Sequence, residues 1–241
     1  DITFTLLGWG LFLSSALIST LIAYALNLAL KEKVAFIILS SLGNTAFLGV
    51  PFINLYYPDI LSYAIIYDQL ISFLAHSLLA PILIALTDQK RDHFSVLPLL
   101  KKPAFITFVI SVSLCTITLP ELLYTISEPI GALVLPLSLF VIGANFTFRA
   151  IKEDSKLLFF ILFITMLLSP LLATLTLFYF QFESNIYHLM VLDIAMPPMV
   201  MGSILLIEAN ISKSLALSSV STGLLLSFLT IPLWKNIVEL L

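Results

Sequence analysis

Between Val34 and Tyr56 the chain carries no charged side chain, a run longer than the roughly 20 apolar residues a helix needs to cross a bilayer. Within that run stands SLGNTAFLGVP, Ser41 to Pro51. It places an amide at Asn44, glycines at Gly43 and Gly49 and a proline at Pro51 where lipid offers no water to a broken backbone. Non-helical backbone is tolerated at such depth only where it is buried in protein or lines a wet cavity. The stretch therefore predicts a helix broken inside the membrane and held by a partner. Composition agrees. The chain is 60% hydrophobic and 10% charged, with mean hydropathy +1.12, whereas a soluble domain has about 25% charged residues. The expected class is an all-α polytopic membrane protein. Nucleic acid is excluded as a partner, since no basic face exists. The lone cysteine, Cys115, excludes an internal disulfide framework and a cysteine metal cluster.

Charged and turn residues divide the chain into eight apolar segments: Leu6 to Leu30, Val34 to Tyr56, Ile60 to Leu86, Pro103 to Leu119, Pro129 to Phe148, Leu157 to Phe180, Ile186 to Ile207 and Lys213 to Leu240. Leu122 to Ile126 belongs to the fourth, to the fifth or to the interface. Lys31-Glu32-Lys33 closes the first segment, and residues 88–102 read as a solvated cytoplasmic loop. Laid out this way, Lys31, Lys33, Lys90, Arg91, Lys101, Lys102, Arg149, Lys152, Lys156 and Lys213 fall on one side and only Lys235 on the other. The positive-inside rule makes the first side cytoplasmic. Both ends of the chain are then extracytoplasmic, and the expected location is the plasma membrane, which is the inner membrane in a bacterium.

A shift of 151 residues lays Pro58 to Pro81 on Ala209 to Pro232, with Pro81 meeting Pro232 and no gap. The same shift lays Ala46 to Pro51 on Pro197 to Gly202. The second and seventh segments therefore carry helix breakers at matching places. They are five segments apart, an odd number, so the copies run in opposite directions. This is the pattern of an inverted repeat, and paired Gly/Pro-interrupted segments are the best sequence pointer to a transporter's site. The expected division is residues 1–87 as three spans of a first repeat, the loop 88–102, and residues 103–241 as a second repeat of five. Two spans are missing from the first repeat, and the chain opens at Asp1 rather than Met. The expectation is eight spans of a complete ten, arranged 5+5.

At the predicted break Pro51 removes a helical hydrogen bond and crowds the carbonyl of Phe47. Gly49 permits close approach of a second chain. Pro197-Pro198 acts likewise in the seventh segment. Half-helix amino ends facing a shared cavity favour anions, and the amide of Asn44, which both donates and accepts, suits a carboxylate. The alternative for each element is an ordinary proline kink or a helix-to-helix amide bond.

GNTAFLGVPFINLYYPD followed by AIIYDQ resembles the fourth and fifth spans of the auxin efflux carrier family, which includes the plant PIN auxin exporters and bacterial organic-acid permeases. LPLSLFVIGANF (Leu135 to Phe146) resembles that family's Pro…Gly span early in the second half. DIAMPPMVMGSILLIEANISKSLALSSVSTGLLLSFLTIPLW (Asp193 to Trp234) resembles its ninth and tenth spans. The resemblance covers nearly the whole chain. It implies two inverted five-span repeats, a scaffold and a transport domain, and two broken helices crossing at prolines beside the substrate. Here that crossing would join Pro51 to Pro197 or Pro198. Asn44, with Thr45 and Gly49 in the same NT-x-x-x-G-x-P core, would contact substrate.

Further polar residues fall inside the spans. Asp68 and Asp193 lie about seven or eight residues in, at similar depth, where an acid near the interface can be hydrated. Intramembrane acids are functional hypotheses by default, and either could carry a coupling proton or help hold Na⁺. Gln69 could share their cavity. His76, near mid-span, could relay a proton or bond a neighbouring helix. Gly143 and Asn145 could face the cavity or pack helices. His188 reads as interfacial. No phosphate-binding loop, Ser/His/Asp grouping or HExxH motif occurs, so neither an enzyme nor a cofactor is expected. The expected function is secondary transport of a small organic anion, a mono- or dicarboxylate, by alternating access and with H⁺ or Na⁺ coupling. The alternatives are a Na⁺-coupled symporter related to the bile-acid carriers, or a channel or sensor. A homodimer is compatible with so apolar a chain, which does not itself reveal its oligomeric state.

Overall fold

The computed structural model describes residues 2–87, 103–114, 117–133, 136–137, 140, 155–182 and 184–240. All regular elements among them are helical. The first is α1, Ile2–Ala25. A turn follows in which Asn27 takes φ 52°, a left-handed conformation that asparagine accepts readily. Next come α2, Leu30–Ser41, a π-helical turn Thr45–Gly49 and α3, Val50–Tyr56. A short 3₁₀ turn, Pro58–Ile60, leads into α4, Leu61–Tyr67, a π-helical segment Asp68–Phe73 and α5, Leu74–Ala85. Then follow α6, Pro103–Leu114, and α7, Glu121–Ala132. Next is α8, Ser155–Phe163, continued through a π-helical turn, Ile164–Leu168, into α9, Ser169–Phe180. The described chain ends with α10, Ser184–Ile194, α11, Val200–Glu208, and α12, Lys213–Leu240.

Among the described residues, four continuous helical stretches are long and apolar enough to cross a membrane: Ile2–Ala25, Pro58–Ala85, Ser155–Phe180 and Lys213–Leu240. Their surfaces are inside-out by the standard of a soluble protein. Leu6, Leu13, Leu17 and Leu21 of α1 and Leu225, Phe228 and Leu229 of α12 are exposed, while Ser40, Ser218, Ser219 and Ser227 are fully covered. A lipid-facing helix has no reason to hide leucine, and it must pair its polar groups within the protein. Several buried hydroxyls do so locally. Ser40 and Ser41 donate to the carbonyls of Phe36 and Ile37, Thr165 to that of Ile161 and Ser219 to that of Leu215, the back-bonding pattern of helical Ser and Thr. Ser15 and Ser169 pair across α1 and α9 at 3.0 Å.

The sequence reading places the first turn at Lys31–Lys33. The structure ends α1 earlier and starts α2 at Leu30, because Glu32 reaches back to the amide of Ala29 (3.1 Å) and caps the new helix. The segment Leu122 to Ile126 lies in α7, which begins at Glu121, runs through Pro129 and buries none of its side chains. Pro129 thus does not open that helix, as the sequence reading has it. Gly143, Asn145 and the loop 88–102 lie outside the described residues.

Two indole N–H groups fasten the irregular helices. Trp9 donates to the carbonyl of Leu70 at 3.1 Å, inside the π segment Asp68–Phe73. Trp234 donates to the carbonyl of Met166 at 2.7 Å, inside the π turn Ile164–Leu168. A π turn widens the helix and loosens its carbonyl ladder, and each tryptophan supplies a donor there. Where α3 ends, Tyr57 donates to Glu239 at 2.7 Å, Lys235 donates to the same carboxylate at 2.6 Å, and His188 stacks on the Tyr57 ring. Burial first, then the Glu239 hydrogen bond and charge, push the Tyr57 hydroxyl above its ordinary value. It therefore stays a donor at neutral pH.

Replacing Trp234 by Phe keeps an aromatic ring, though a smaller one, and removes the donor to a buried carbonyl. We expect a loss of about 1–3 kcal/mol, read as a lowered midpoint of thermal unfolding in detergent; an unchanged midpoint would show that the bond contributes nothing.

Candidate functional site

The two interrupted helices meet through their main chains. The first interruption is Leu42–Gly43–Asn44, between α2 and the π turn; the second is the segment between Ile194 and Val200. Gly43 and Pro198 form an antiparallel bridge. The amide of Asn44 donates to the carbonyl of Pro197 at 2.8 Å, and the amide of Met199 donates to the carbonyl of Leu42 at 3.0 Å. These bonds flank the Gly43–Pro198 pair, so that pair occupies a position where neither residue's own N–H is used. Proline, which has no N–H, fits at 198 without loss. A Cβ at Gly43 would sit 3.3 Å from both the Asp193 carbonyl and the Met196 Cβ, so the close approach at this point favours glycine.

This corrects the expected crossing. Pro51 is not the partner of Pro197 or Pro198. It stands at the start of α3, past the π turn, where the widened backbone absorbs a proline. The break lies upstream, at the glycine and asparagine.

Around the bridge the structure gathers several residues singled out in the sequence. Thr45 donates to Asp68 Oδ1 at 2.6 Å and Gln69 Nε2 donates to Asp68 Oδ2 at 2.7 Å. Two neutral donors, one to each oxygen, suit an ionised carboxylate. Asp193, at the last turn of α10, lies over Gly49: a Cβ there would collide with Asp193 Oδ1. Thr45 and Gly49, one helical turn apart, thus separate the two acids. Both acids are buried, Asp68 being 4% and Asp193 1% exposed. The approach of neighbouring helices, which no single segment reveals, closes over them. Neither carboxylate oxygen of Asp193 has a hydrogen-bond partner, and the same holds for Asn44 Oδ1, on a residue 1% exposed. His76 is buried elsewhere, against Gly202 of α11, about two turns along its helix from Asp68.

A cavity of about 40 Å³ opens beside the crossing, above the roughly 10–15 Å³ that one water needs. Its lining includes Ser41, Gly43, Thr45, Ser72, Thr165 and Asp193. Sequence reasoning missed Gly223 of α12. A Cβ there would meet Pro197 Cβ at 2.8 Å and Pro198 Cδ at 2.9 Å, so this glycine seats the two proline rings. The sequence signal was slight, a glycine inside an apolar helix.

The crossing also presents its helix ends in an ordered way. The amino ends of the Thr45–Gly49 turn and of α11 and the carboxyl ends of α2 and α10 all lie at the break. The first pair favours negative charge and the second positive charge. Broken helices that cross in this manner are the site architecture of secondary transporters. Residues 2–235 match the membrane transport protein family. The chain belongs to this family, the auxin efflux carrier family. It is an integral membrane transport protein and not an enzyme. No curated protein matches the chain.

The glycine contacts give a graded test. Gly223→Ala presses a methyl onto two rigid rings, and Gly49→Ala presses one onto a buried carboxylate. Each is expected to lower stability by about 1–3 kcal/mol. Gly10→Ala, where a Cβ meets nothing within 4 Å, is expected to be neutral or to stabilise by up to about 1 kcal/mol. Thermal unfolding of the three variants side by side measures this, and equal midpoints would remove the argument.

Proposed function

We propose that this carrier moves a small organic anion, a mono- or dicarboxylate, by alternating access, with the substrate held at the crossing. The observation that carries the reading is the buried side-chain amide of Asn44. It sits between the bridge and the amino end of the Thr45–Gly49 turn, with its Oδ1 unpartnered. Its N–H₂ is free to donate to a carboxylate at the helix end where the backbone dipoles favour a negative charge. Thr45, Gly49, Pro197 and Pro198 shape the same site. Pro51 fixes the start of α3 behind it. Gly143 and Asn145 are proposed to face the same cavity.

Transport follows from the mechanics of such a crossing. The bridge ties the two half-helix pairs together, so the domain that carries them moves as one body and takes the substrate with it. We read the two halves, 1–87 and 103–241, as inverted repeats, and both ends of the chain as extracytoplasmic on the strength of the Lys and Arg distribution. The energy source is the membrane potential or a coupled ion, and the location a plasma membrane.

Counterflow in proteoliposomes tests the reading. Vesicles holding the complete protein are loaded with malate, malonate or indole-acetate and offered labelled substrate outside. Transient accumulation of at least one acid is expected, reduced about tenfold or more in Asn44→Ala. Accumulation unaffected by that substitution would remove the site from Asn44. Exchange of none of the three acids would overturn the organic-anion reading.

A further inference from the structure

The crossing has a cationic side as well as an anionic one. Asp193 is buried with both carboxylate oxygens lacking hydrogen-bond partners, at the carboxyl end of α10, where the helix adds further negative potential. The backbone oxygens of Asp193 and Met196 lie 3.3 and 3.5 Å from where a Gly43 Cβ would stand. The Asp193 carbonyl receives only a long bond from the Met196 amide, 3.4 Å, and Pro197 and Pro198 have no N–H to add. The carboxyl end of α2, Ser41, arrives at the same place. The cavity beside it is lined, among polar side chains, by hydroxyls and the Asp193 carboxylate alone; no Lys, Arg, His, Asn or Gln side chain faces it.

We propose that Asp193, Thr45 and the backbone oxygens at the carboxyl ends of α2 and α10 bind one small alkali cation of the Na⁺ class. Three arguments carry it. The donors are all oxygen, which suits a hard cation. A proton on Asp193 would satisfy one oxygen and create a new donor in search of an acceptor. A cation instead takes lone pairs from several oxygens at once. Asp68 already receives a donor on each oxygen, whereas the Asp193 carboxylate receives none, so it is the Asp193 oxygens that are open to a cation. Gly43 and Gly49 leave the backbone close enough to the carboxylate to complete the cage. As a coupling site this rests on the transport reading above; as a binding site it stands without it. The cation would neutralise Asp193 and leave the anion's helix ends unopposed, so substrate and ion would favour one another's binding.

The experiment is thermal unfolding of the complete protein in detergent, without organic acid. NaCl replaces choline chloride at constant ionic strength. A saturable rise in midpoint with Na⁺, absent with choline, is expected. In Asp193→Asn the rise should vanish, and the midpoint in choline should equal or exceed that of the unsubstituted protein, since an uncompensated buried charge is gone. If that variant does not fold, Thr45→Ala should raise the half-saturating Na⁺ concentration about tenfold or more. No Na⁺-specific rise, an undiminished rise in both variants, or a rise that follows only pH or Ca²⁺ would overturn the proposal. A Na⁺ response without anion counterflow would keep this site and remove the organic-anion reading; counterflow without a Na⁺ response would do the reverse.

Discussion

Two main-chain hydrogen bonds, Asn44 to Pro197 and Met199 to Leu42, are what the described structure turns on. Breaking a helix inside a membrane strands carbonyl and amide groups in surroundings that cannot solvate them. Breaking two helices at the same level lets each supply what the other lacks. Much of the nearby sequence then follows from that crossing. Gly43 admits the second chain, Pro198 sits where no N–H is needed, and Gly223 clears room for two proline rings. A bridge made by backbone also leaves the side chains at the crossing available for other work.

That work is electrostatic. Four helix ends meet at one level, two favouring anions and two favouring cations, and the ionisable side chains nearby divide between them. Asp68 is held by Thr45 and Gln69. Asp193 is held by no hydrogen bond. The Thr45–Gly49 turn runs between the two acids and connects them to the crossing. A π turn is wider than a regular α-helical turn and more loosely hydrogen-bonded.

The sequence made the break in the second segment, the di-proline in the seventh and the two intramembrane acids visible, because each violates the composition of a lipid-spanning helix. It misdirected attention to Pro51. Proline is the strongest breaker in isolation, yet at the start of a half-helix it is accommodated, while glycine and asparagine, weaker signals, mark the real interruption. The burial of Asp68 and Asp193 was not legible, since depth along one helix says nothing about what packs across it. Gly223 was missed for the same reason: its role exists only against the rings of Pro197 and Pro198. The π segments have no sequence signature of their own.

The chain has two tryptophans, and both indoles end on π-helical carbonyls, Leu70 and Met166. Asp68 opens the first of these π segments, and the second joins α8 to α9 on the opposite half of the chain. Indole emission responds to hydrogen bonding and local polarity, so the molecule carries two built-in optical reporters, one per half, placed on the segments whose geometry is least constrained. Rearrangement of the irregular helices would be visible in the intrinsic fluorescence of the protein, with no label attached.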